Sequence, residues 1–102
     1  MNVANLQLEG LMMALAHLNQ MLVRKGVASI DEIDDALNRA EVNLTSEERT
    51  FEDLSPSNRD AMCFPIRLLR MANFSQSETS LPEFTELARM VGQTKEPYND
   101  QM

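Results

Sequence analysis

Cys63 and His17 are the chain's only thiol and only imidazole. A cysteine beside a histidine can serve as an activated nucleophile, with one of the many carboxylates orienting the ring. Cys63, however, lies between Met62 and Phe64 in a mostly apolar segment, where a thiol is ordinarily buried and inert. One Cys and one His also fall short of a zinc set, and "DEIDD" at 31–35 lacks the glycine and ligand spacing of a calcium loop. The chain has no Gly-rich phosphate loop and no G-x-S-x-G. These residues predict a non-enzymatic protein with no cofactor, no metal and no catalytic residue.

Phosphate chemistry fares little better. Arg59, Arg67 and Arg70 could form a basic stripe on one helix. The net charge is −7, and residues 31–60 carry ten acids against three arginines. A field of that sign repels nucleic-acid backbones and anionic lipid, so neither nucleic acid nor membrane is expected as a partner. The arginines are expected to pair with that acidic stretch, as surface arginines do at small energetic gain.

Positioning any of these residues falls to helices. Hydrophobic residues make up 43% of the 102, with eight Met, no Trp and only three Gly. Unbranched Leu, Met and Ala lose little rotamer freedom in helices, and so few glycines cannot supply the turns of a β-sandwich. The expected fold class is all-α: a small domain of about four helices on an N-terminal antiparallel helical hairpin. A single cysteine cannot make an internal disulfide, and "MNVANLQLEG" has no basic leader region. Together these predict a cytoplasmic protein.

In the first segment Ala4, Leu8, Leu11, Leu15, Leu18 and Leu22 alternate spacings of four and three, a seven-residue pattern. Arg24 and Lys25 suit a helix C-terminus, and Gly26 suits the left-handed residue that ends one. Ser29 and Glu32 form an S-x-x-E capping box. After it Ile30, Ile33, Leu37, Ala40 and Leu44 make a second stripe, expected to face the first across the short corner. Ser55 and Pro56 announce a third helix, with Pro65 expected to kink or split it. Ser80, Pro82 and Glu83 repeat the capping signals, Leu81, Phe84, Leu87, Ala88 and Val91 follow as an inner stripe, and Gly92 closes it. The expected helices are about 4–25, 30–42, 56–73 and 81–91 in one domain of 1–92, with 93–102 a loose tail.

Two resemblances bear on function. The stretch 22–44, through Gly26, Ser29, Glu32 and Ile33, is similar in pattern to the short bacterial helical hairpins called SHOCT domains. That likeness covers under a third of the chain and implies a hairpin acting in oligomerisation. "FTELARMVGQTKEPY" resembles the helix-turn-helix signature, with Ala88 four residues before Gly92 and Tyr98 six beyond. It implies a DNA-binding or transcription-associated regulator using 81–102, whose second helix enters the major groove. This sequence departs from that pattern, with Pro97 inside the would-be recognition helix, Glu96 and Asp100 beside it, and Lys95 as its one cation. A recognition helix needs more donors than that.

The surface favoured for function is on helix one, opposite its leucines. There Leu6, Gly10, Met13 and His17 recur at helical spacing, with Met21 beside His17. Gly10 would let another backbone approach closely. These five residues are the expected interaction site of a homodimer; an unidentified protein partner is the other possibility. Alternatively, helix one is the buried centre of a four-helix monomer.

Overall fold

The computed structural model describes residues 3–46 and 55–94. Among them are four helices and no strand, so the all-α class holds: α1 Val3–Arg24, α2 Ile30–Ser46, α3 Pro56–Ser75 and α4 Phe84–Gln93. The expected loose tail falls almost wholly beyond residue 94, outside the described residues.

Local chemistry sets the corner as expected. Gly26 takes φ +76°, and the Gly26 and Val27 amides donate to the Val23 and Leu22 carbonyls, both at 3.0 Å. This is the Schellman ending, which satisfies the last carbonyls of α1. Three residues later the Ser29 amide donates to Glu32 Oε1 at 2.8 Å and the Glu32 amide to Ser29 Oγ at 3.0 Å. Both halves of the capping box are made. At α3, Ser55 Oγ accepts from the Asn58 amide at 3.2 Å, and Pro56 occupies the first turn, where its missing N–H costs nothing.

The packing around that corner differs from expectation. α3 is the hub: α1, α2 and α4 each pack on it, while α1 and α2 meet only marginally. Cys63, Leu68, Leu69, Ala72 and Asn73 on α3 are all buried. The core joins Leu68, Leu69 and Ala72 to Met12 and Ala16 of α1 and to Leu87 and Val91 of α4. α3 runs unbroken through Pro65. The stripes of α1 and α2 do not face each other, because Leu8, Leu11, Leu15 and Leu18 are exposed. On α2, Ile33 is buried and Ala40 exposed; the half-buried Glu41 takes the place expected of Ala40.

Buried amides tie the helices where apolar contact alone would leave them free to slide. Gln20, on the buried face of α1, donates through Nε2 to the carbonyls of Ser77 at 2.8 Å and Ser80 at 2.9 Å. Asn73 of α3 donates to the Ile30 carbonyl at 2.8 Å, at the first residue of α2, and accepts from Gln76. The same serines undo the second expected capping box. Ser77 Oγ accepts from the Ser80 amide at 3.1 Å and lies 2.9 Å from Ser80 Oγ. Ser80 therefore closes a turn, and α4 starts later, behind Glu83, which makes no side-chain cap. Gly92 is also reassigned. It has no left-handed φ and lies inside α4, which Thr94 ends by donating from its amide to Met90 and from Oγ1 to Val91.

Gln20 supplies a stability test. Gln20→Ala removes both bonds of the clasp, leaving the Ser80 carbonyl only the Ser77 amide at 3.0 Å, and should cost about 1–2 kcal/mol in urea unfolding. A change under about 0.5 kcal/mol, the usual range of a neutral surface substitution, would mean the clasp does not hold the α3–α4 turn.

Candidate interaction surface

α1 has more apolar side chains than one face can bury. Successive residues turn about 100° around its axis. Met12, Ala16 and Gln20 lie four apart on one line and are the buried residues of the helix. The leucine stripe lies about a third of a turn to one side of that line, and the row Leu6–Gly10–His17 about as far to the other. Leu8, Leu11, Leu15 and Leu18 are 47%, 57%, 39% and 51% exposed. Only Leu22, at the C-terminal end of the stripe, is half-buried.

The five residues expected to form one interaction site are divided by the structure. Leu6, Gly10 and His17 are exposed, Met13 and Met21 are half-buried, and Met13 packs against the core. A Cβ placed on Gly10 would meet nothing within 4 Å, so within the chain no backbone makes the close approach expected of it. α1 is also not the central helix of a four-helix monomer, since α3 has that place. Sequence reasoning missed which face α1 buries because that face carries a Gln, an Ala and a Met, none of which stands out among leucines. The usable signal was the excess itself: five leucines at seven-residue spacing beside a further line of small and flexible residues.

Two arginines and three acids are committed between α2 and α3 or within α3. Arg67 donates from Nε to Glu41 at 3.0 Å and from Nη1 to Asp60 at 3.3 Å. Arg70 grips Asp34 with two bonds, 2.7 and 3.2 Å, and reaches Asn38 at 3.3 Å. Its Nη1 lies 3.6 Å from Glu41. Bonding to Asp34 holds the Arg70 guanidinium above its ordinary value. At Arg67 burial is the largest single influence and opposes the charge, but the bonds to Glu41 and Asp60 together outweigh it. Two arginines of the expected basic stripe thus join α2 to α3, as the acidic stretch led us to expect.

Cys63 has no exposed surface, whereas His17 is exposed, so the two share no accessible site. Burial pushes the Cys63 thiol up from its ordinary value of 9.0, with nearby Arg67 pulling partly the other way. Among the described residues no group of three or more His, Cys, Asp or Glu could hold a metal ion. No described helix is long and apolar enough to cross a membrane. Comparison with known protein families, curated proteins and solved structures finds no match to this chain. The exposed leucine face is therefore the feature that most needs a functional account.

Two tests follow. Gly10→Ala adds a methyl group in open space on a helix, so it should raise stability by about 0.5–1 kcal/mol; a loss would mean another chain crosses there. Cys63 should resist a thiol reagent in the native state and react on unfolding. With its value raised in the folded state, the unfolded chain ionises first as pH climbs. The thiol's contribution is therefore complete below 9.0 and is lost as pH rises toward the folded value. Urea midpoints across that range should fall less for Cys63→Ala than for wild type.

Proposed function

We propose that this protein acts by protein–protein contact and not by catalysis, pairing with a second copy of itself through the leucine face of α1. The observation that carries this reading is the seven-residue spacing of four exposed leucines. Apolar residues repeating every 3.5 positions keep one seam facing a partner helix along its length. The best-matched partner for such a seam is a helix with the same repeat, and a second copy supplies one with two-fold symmetry.

Charge favours the same assignment. The chain carries −7, so two copies repel each other across most of their surfaces. α1 contributes one acid, Glu9, and one base, Arg24. The positions flanking the seam are Asn5, Met12 and Asn19 on one side and Gln7, Ala14 and Met21 on the other, none of them charged. Interface cores are depleted in charge in this way. Leucine at both seam positions packs well but specifies orientation weakly. The helix is about 33 Å long, which makes a short interface, so association should depend on concentration.

Light scattering across a concentration series tests this. Wild type should reach twice the chain mass, and Leu11→Glu, placed where the wild-type side chain is 57% exposed, should stay folded and run as one chain. The reading fails if wild type remains a single chain throughout, or if Leu11→Glu leaves a dimer intact.

A further inference from the structure

Three helices leave a groove between them at the N-terminal half of α1. Its walls are Leu8 and Met12 of α1, Phe64 and Pro65 of α3, and Phe84 of α4, with Ala61, Asn5 and Glu9 at its rim; its volume is about 360 Å3. Phe64 and Phe84 meet edge to face, with centroids 6.4 Å apart and planes at 73°, which gives the groove a firm aromatic end. A volume of that size lies within the usual range for binding pockets.

Two polar side chains border this groove, Asn5 and Glu9. Glu9 is half-buried and has no ion pair or hydrogen bond from its side chain among the described residues. Pro65 has no N–H, so the carbonyl of Ala61, four residues earlier, loses the donor that a continuous helix would give it. Ala61 and Pro65 are both groove residues. The site thus presents an apolar trough bordered by one carboxylate, Glu9, and one amide, Asn5. No cation lines it.

We infer that this groove docks a segment of a partner protein that sets a bulky apolar side chain against Phe64, Pro65 and Phe84 and a lysine or arginine on Glu9. A basic residue supplies the ion-pair partner that Glu9 lacks among the described residues, and an acidic chain attracts such a segment before contact. The groove adjoins the leucine seam, sharing Leu8 with it and taking in Asn5 and Met12 from its flank. The inference does not depend on self-association.

The probe is a short fluorescent peptide with Leu and Lys at helical spacing, titrated against wild type and Leu11→Glu and followed by anisotropy. Both proteins should bind it, and the same peptide with Glu in place of Lys should not bind. Ala61→Trp, at an exposed position, should fill the groove and abolish binding while leaving the circular dichroism spectrum unchanged. Glu9→Gln should weaken binding about two- to fivefold, the worth of one partly exposed ion pair. Equal binding by wild type and Ala61→Trp would reveal diffuse attraction to an acidic surface and overturn the inference. Binding by Leu11→Glu alone would show that a second copy already fills the groove, which also overturns it. So would failure of the peptide to bind, including the case where free hexylamine perturbs the groove residues and the peptide does not.

Discussion

Everything described of this domain is arranged around α3, on which the three other described helices pack most closely. Its buried line of Cys63, Leu68, Leu69 and Ala72 supplies the apolar surface, but apolar contact is non-directional and leaves helices free to slide. Position comes from directional bonds. Asn73 fixes the first residue of α2 through the Ile30 carbonyl, Arg67 and Arg70 pin Glu41 and Asp34 farther along it, and Gln20 fixes α1 to the turn before α4. A buried amide left without partners costs more than a satisfied one contributes. These bonds therefore select one register among several that the core alone would accept.

Features decided within a few residues were legible in the sequence. Gly26, Ser29, Glu32 and Ser55 each act within a few positions and form the expected bonds, and Pro56 takes the expected first turn. Features decided by tertiary partners were not. A seven-residue leucine stripe looks the same whether its partner is the next helix or another molecule, so the face α1 buries could not be read from spacing. Ser80 and Glu83 have the right separation for a capping box, yet Ser77 competes for the same serine and wins, because its turn is also clasped by Gln20. At Gly92 the residue type permits a helix end without requiring one. The site was legible to the same extent: Phe64 and Phe84 were visible as apolar positions, but not that Ala61, Pro65 and Glu9 would border the same groove.

Charge is partitioned between the helices with a structural consequence. α2 spends Asp31 and Glu32 at its positive end and Asp34 and Glu41 on the arginines of α3. These pairs are only partly buried, and pairs of that kind contribute little stability individually. They orient α2, and they also occupy two of the cations that a phosphate-binding surface would use. α1 lies outside this network. Leu8, Leu11, Leu15 and Leu18 face solvent, and the helix carries one acid, Glu9, and one base, Arg24.

Pro65 connects the architecture to its surface. A proline inside a helix costs about 3 kcal/mol relative to alanine, and an isolated helix of this composition would break there. α3 continues because the turns on either side of the proline are clamped: Cys63 is buried just before it, and Leu68 and Leu69 just after. The surrounding core thus tolerates a backbone defect that local propensity forbids. The defect falls where the core ends, since Ala61 is exposed and Phe64 and Pro65 are only half-buried. Pro65, which denies the Ala61 carbonyl its usual donor four residues on, thus falls in the wall of an apolar groove that Glu9 also lines. The same helix that organises the interior by being buried on several sides thereby also walls an outward-facing groove with Ala61, Phe64 and Pro65.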